Sequence, residues 1–473
     1  MKLFVNGINH STGVPLFPPL DEQDFAAGVV AALSRNAAEL RILSRSTATG
    51  TTFRGEIERE RMVDLGDPRA AGWTFLLNGN DPQREAIIEA LRPLAEHRGM
   101  ANQDEPLIFA DESPDQWYDW LLENYSSLVL DKVPHFVLIV GGPDCVPFRF
   151  QSILGTAAAV GRVGFDSVED LRTYVEKIIR LETAADPAVL GQAICFAPDA
   201  GPDDATYFSR RYMGEPLAEH IRDRYGMETL ALMGDKASKT RLQEALHGTK
   251  PALVYTASHG IAAPEEPFEF QKQINGAICC QHEPGTPLDA WLFSAGDVPL
   301  DEPFLEGAVL FQFACFGYGT PRESDFWHWG LGKTKLNTHA DFIAALPKRL
   351  LAHPNGPVAY IGHVDLACLH GFVDPAKPHT LDRWQPRMEP FVSAVERLLK
   401  AQPVGLAMAN MCKKYDICNA LLTGTYEQIQ RGKIQQTPDF HSRLSDAFIT
   451  RTDAQNYFIL GDPAVSLRIA DGS

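Results

Sequence analysis

Long apolar runs are missing from this sequence. No stretch approaches the eighteen or more apolar residues that a membrane-spanning helix needs. Basic residues are also scarce: 43 Lys and Arg stand against 61 Asp and Glu, a net charge of −18. A nucleic-acid-binding surface normally shows as a basic excess, so DNA and RNA are not expected partners, and neither is an anionic membrane. The acidity fits either solubility or a basic substrate. Cysteines are few, eight in 473 residues, and no two form Cys-x-x-Cys. This leaves no support for a zinc ribbon or a thioredoxin-type site. The first ten residues are interrupted by Asn6 and Asn9, so they do not read as a signal peptide. Reduced thiols and a cytoplasmic location are therefore expected.

Other absences narrow the chemistry. There is no His-Glu-x-x-His, and the spacing of His353, His363 and His370 fits no usual ligand pattern, so no metal is expected. There is no Gly-x-Ser-x-Gly elbow. Gly332-Lys333-Thr334 ends like a phosphate loop, but Trp327 stands where the first glycine belongs, and phosphate cradling needs the whole loop. No cofactor is implied.

What is present is an alternation of short apolar runs with helical periodicity, the signature of an α/β fold with a largely parallel sheet. Strands are expected at Trp73–Leu77, His135–Val140, Gln192–Ala197, Glu228–Met233, Pro251–Ala257, Ala308–Ala314 and Pro357–Ile361. The tail Ala464–Ile469 also reads as a strand. Helices are expected at Gln83–His97, Ser167–Glu182 with Ser167 as N-cap, Ala205–Tyr225, Ser238–Leu246 and Ala340–Leu351, the last broken by Pro347. From Met388 to about Gln430 the chain reads as mostly helical. Two α/β halves join near Thr183–Pro187. The expected divisions are an N-terminal α/β elaboration (1–125), the rest of an upstream half (126–186), a second half (187–380) and a helical C-terminal region with a terminal strand (381–473).

Two strand ends carry chemistry. Leu253–Ala257 runs into Ser258-His259-Gly260, and Val309–Ala314 runs into Cys315-Phe316-Gly317. Ligands of parallel α/β sheets bind at the carboxyl ends of strands, and adjacent strands would bring the imidazole to the thiol. Only a few per cent of a thiol of ordinary pKa is thiolate at neutral pH, and a neighbouring imidazole can take its proton. The backbone N–H groups of Gly260 and Cys315 are candidate donors to a developing oxyanion. Alone, either residue reads more simply as packing; it is the pairing that points to catalysis.

With those motifs in view, the chain resembles the caspase-like (clan CD) cysteine peptidases. Ser258-His259-Gly260 is similar to their His-Gly motif and Gln312–Gly317 to their Ala-Cys-x-Gly motif. Phe136–Pro147, Val160–Val163, Lys177–Arg180 and Phe458–Val465 look closer to the gingipain and CHAT branch. The resemblance covers roughly residues 130–470. It implies a caspase-like sheet with a preceding pseudo-catalytic half, and cysteine endopeptidase activity by a His259–Cys315 dyad through a thioester. Phe313 separates Gln312 from Ala314, and Phe316 stands where caspases carry arginine, which argues against specificity for Asp.

In that family the first specificity pocket is built from the loop after the first catalytic-half strand and from the strand after the cysteine strand. Here these segments offer Asp199, Asp203, Asp204, His363 and Asp365. Acids facing one pocket would favour Arg or Lys, although acids in a loop can simply face water. Tyr318–Lys333 reads either as a mobile loop over the cleft or as a connection. The expected partners are a protein or peptide substrate and a regulatory partner. Gating by a partner, a ligand or self-cleavage is expected, and bacterial relatives suggest stress or antiviral defence. The rival is a catalytically silent scaffold whose N-terminal 120 residues dock a partner.

Overall fold

A computed structural model describes residues 2–3, 6–35, 64–125, 133–185, 190–283, 285–326, 338–373, 386–435 and 437–469. Gly332-Lys333-Thr334, the part of Tyr318–Lys333 beyond 326, and part of the Thr183–Pro187 junction lie outside the described residues.

The chain is α/β, with a mostly parallel sheet flanked by helices, as the alternation predicts. The strands are β1 (Trp73–Asn78), β2 (Leu107–Phe109), β3 (Phe136–Val140), β4 (Ala159–Val163) and β5 (Gln192–Ala197). They continue with β6 (Glu228–Met233), β7 (Pro251–Ala257), β8 (Val309–Phe313), β9 (Ala359–His363) and β10 (Tyr457–Leu460). These ten form one sheet in the order β2-β1-β3-β4-β10-β9-β8-β7-β5-β6. The strands β1, β3, β7 and β8 are buried along their whole length, which is why they read as unbroken apolar runs rather than alternating ones.

The strand β10 is parallel to β4 but antiparallel to β9. The two blocks of parallel strands therefore run in opposite directions, with β10 as the seam. This corrects the expected strand at Ala464–Ile469, where Ile469 makes only an isolated bridge to Leu190. The ladder stops because Gly461 turns with φ 120° and Pro463 has no N–H to give. Between them Asp462 accepts from Trp73 Nε1 at 2.9 Å and pairs with Arg98 Nε at 2.8 Å. This ties the C-terminal turn to the upstream block.

Helix α1 (Arg84–His97) packs on α2 (Val168–Thr183). Ser167 caps α2 as expected, its hydroxyl accepting from Asp170 N at 3.1 Å. A second correction concerns Ala340–Leu351. Phe342–Ile343 is a short strand paired with Gly319–Thr320, and the helix spans Ala345–Ala352. Pro347 lies in its first turn, where N–H groups have no intrahelical partner, so it does not break the helix. After Gln430, which ends a helix begun at Ala409, a further helix runs from Pro438 to Gln455.

Candidate active site

The chain leaves β5 for β6 on one side and then returns to β7 on the other side of β5. The crevice between β5 and β7 is thus a switch point, where open α/β sheets bind their ligands. The downstream strand ends meet there. In the ladder between β7 and β8, Ala257 is opposite Phe313, so His259 and Cys315 each follow the last matched residue by two positions.

Gly260 permits the close approach of these two ends. A Cβ at this position would lie 1.8 Å from the Cys315 carbonyl oxygen, so no other residue fits there without moving the backbone. Phe316 and Asp365 are both left-handed, with φ 58° and 72°, and Phe316 N–H donates to the Asp365 carbonyl at 2.8 Å. Left-handed backbone at a bulky residue such as Phe316 costs of order 1–3 kcal/mol, and less at Asp365, since Asp tolerates this region better. It sits directly beside Cys315.

His259 Nε2 lies 2.8 Å and 2.9 Å from the two carboxylate oxygens of Asp204. Its Nδ1 is buried without a hydrogen-bond partner. An imidazole held at one nitrogen by a carboxylate keeps the other nitrogen available to accept a proton. Asp204 is itself fixed as the N-cap of Ala205–Ser209, accepting from Thr206 N at 2.8 Å. Burial pushes the Asp204 carboxyl up, but the charge and hydrogen bond of His259, together with Thr206, outweigh it and hold it down at about 2. The helix after Asp204 widens into a π turn at Arg210–Gly214, a distortion frequent at functional sites. Arg210 in that turn donates to Asp199 at 2.8 Å.

Cys315 is fully buried. Its Sγ accepts from Ala367 N at 3.1 Å. Burial pushes its thiol well above the ordinary value, and the Ala367 N–H offsets this only in part.

The remaining sequence candidates sit in different surroundings. Asp203 is exposed and faces water. His363 is fully buried, between the carbonyls of Asp365 and Asp453, both at 3.2 Å. Asp365 is also interior and accepts from Ser324 Oγ at 2.9 Å and Asp325 N at 2.7 Å. Burial, and then the charge of Asp325, raise its carboxyl to about 7. Sequence reasoning placed Asp204 with the pocket acids and missed its pairing with His259. The available signal was Asp204-Ala205-Thr206 opening a helix, which fixes the carboxylate at a strand exit. No group of three or more His, Cys, Asp or Glu placed to hold a metal occurs among the described residues.

No family model and no curated protein matches the sequence. Solved structures do resemble it. The Arg-specific cysteine proteinase gingipain R (RgpB) superposes with a TM-score of 0.46 at 15% identity, over 84% of this chain and 78% of that one. The complex of Porphyromonas gingivalis RgpB pro- and mature domains gives 0.44 at 15%, over 84% and 80%. A structure described as a protease gives 0.44 at 12%, over 84% and 78%.

Proposed function

We propose that the protein is a cysteine endopeptidase. The observation that carries this reading is the Asp204–His259 pair at the exit of β7, beside Cys315 at the matching exit of β8. In the proposed reaction His259 Nδ1 takes the Cys315 proton, and the thiolate attacks the substrate carbonyl carbon. The C–S bond forms as the carbonyl electrons move to oxygen, with the N–H groups of Gly260 and Cys315 as oxyanion donors. Collapse breaks the peptide C–N bond, and His259 returns the proton to the leaving amine. Water then hydrolyses the thioester with His259 again as base. Asp204 keeps the ring oriented and stabilises the imidazolium.

Cleavage after a basic residue is the proposed specificity. The exposed Asp203 and the acidity of the whole chain favour it. Asp199 and Asp204 already have cationic or imidazole partners, so they contribute less to it. A gated peptidase working in the cytoplasm, in stress or defence, completes the proposal. Among the described residues no helix is long and apolar enough to cross a membrane.

The test is a fluorogenic peptide panel with basic, acidic and apolar residues before the scissile bond. Cleavage of the basic peptides, lost in Cys315→Ala, is expected. Preference for Asp or an apolar residue would sink the specificity. Constitutive digestion of casein at full rate would contradict gating. The complete burial of Cys315 favours a second reading, a silent binding module. Labelling by a thiol-reactive peptide probe that needs both His259 and Cys315 would exclude it.

A further inference from the structure

The N–H of Gly260, one of the two proposed oxyanion donors, already has a partner. It donates to the carbonyl of Asn6 at 2.9 Å. Asn6 comes from the far end of the chain and is stitched to both sides of the site. Its Nδ2 donates to the Ser258 carbonyl at 2.5 Å, and its own N–H to the Ala367 carbonyl at 3.1 Å. Ala367 is the residue whose N–H donates to Cys315 Sγ. The next residues, Gly7–Asn9, form a strand paired in parallel with Gly260–Ala262, in register Gly7 to Gly260.

Gly7 lies against the thiol. A Cβ added to it would stand 3.3 Å from Cys315 Sγ and 3.5 Å from Cys315 Cβ. Ile8 is buried with Ile261, Ala277, Cys279, Trp291 and Leu292. The segment is closed by a turn, Ser11 to Pro15, that faces solvent.

Peptides commonly bind an exposed strand edge by adding a strand to it, with affinity from main-chain hydrogen bonds. Here the edge beside the reactive residues is already filled by the chain's own N-terminal segment. We propose that residues 6–9 are a built-in inhibitory segment that occupies the backbone-binding edge of the Gly260–Cys315 site and must be displaced before Cys315 can react. This deepens, and rests on, the reading of Cys315 as the nucleophile. It also makes the expected gating concrete: an activator would compete for Ile8 or pull on the exposed turn, and the gate would need no covalent change.

Three variants of the full chain test it. Gly7→Cys places a new thiol within disulfide reach, since Cβ atoms of a disulfide lie roughly 3.5–4.5 Å apart. Mild oxidation should crosslink it to Cys315 in most molecules. Gly7→Trp and Ile8→Asp each expel the segment, the first by bulk and the second by charge in an apolar cluster. Alkylation mapped by mass spectrometry should show Cys315 reacting at least ten-fold faster in both, with the half-exposed Cys145 as internal reference. Thermal melts verify that each variant is folded. No crosslink in Gly7→Cys, or an unchanged Cys315 rate in a folded displaced variant, overturns the proposal. If Cys315 is unmasked but no peptide of any class is cut, the segment's blocking role stands and the peptidase reading falls.

Discussion

The two parallel blocks of the sheet end in different ways. The upstream block closes its strand ends with a fully buried arginine, Arg162 of β4. Its guanidinium donates to the carbonyls of Gly141 and Gly142 at 2.9 Å, of Val146 at 2.6 Å, and to Gln151 at 2.7 Å. Cys145 lies in the loop after β3, and burial followed by the charges of Asp144 and Asp81 raises its thiol. The downstream block leaves His259 Nδ1 without a partner and sets Cys315 beside left-handed backbone. A buried charge held by several carbonyls makes a strand end structural; a ring nitrogen beside a thiol, held in place without a partner, makes it a candidate for chemistry.

That contrast can be broken experimentally. With the N-terminal segment displaced by Ile8→Asp, adding Cys315→Ala is expected to lower peptide cleavage by on the order of 10⁴-fold or more, while adding Cys145→Ala leaves it unchanged; equal losses in a kinetic assay would erase the distinction. His259→Ala should lower kcat/KM by roughly 10³-fold, with little change in the melting temperature. Arg162→Ala should act on stability instead. It leaves several buried acceptors unpaired, and a loss of roughly 3 kcal/mol is expected in urea unfolding.

Asp204→Asn has the smallest expected effect, about 10²-fold in kcat, and a pH signature distinguishes it. The folded carboxyl sits at about 2 against an ordinary 3.8. A depressed value stabilises the fold fully above the unfolded pKa, and this contribution is lost as pH falls through the folded one. The wild type should therefore exceed the variant by up to about 2 kcal/mol at pH 5. The gap should narrow between about pH 4 and 2; a gap independent of pH would remove the charge from the account.

Much of the sheet was legible because buried parallel strands have only one way to look in sequence. Gln192–Ala197 and Pro251–Ala257, both largely buried, match their expected limits residue for residue, as does the more exposed edge strand Glu228–Met233. The strand Tyr457–Leu460 was not legible. It has four residues, its neighbours are Ala359–His363 and Ala159–Val163, and its position depends on a seam between blocks far apart in the chain. Pro347 misled for a related reason: its effect depends on where the helix begins, which pairing between Phe342–Ile343 and Gly319–Thr320 decides.

The sequence by itself determined the α/β alternation and the two strand exits at His259 and Cys315. Local periodicity, and glycines beside reactive residues, are properties of short stretches. Only the tertiary structure decided that Asp204 faces His259, that His363 and Asp365 lie in the interior, and that Asn6 covers Gly260. Asn6 and Ser258 are 252 residues apart. Contacts of that range leave no periodic trace along the chain, because they are fixed by which strand edge is left open once the sheet has formed.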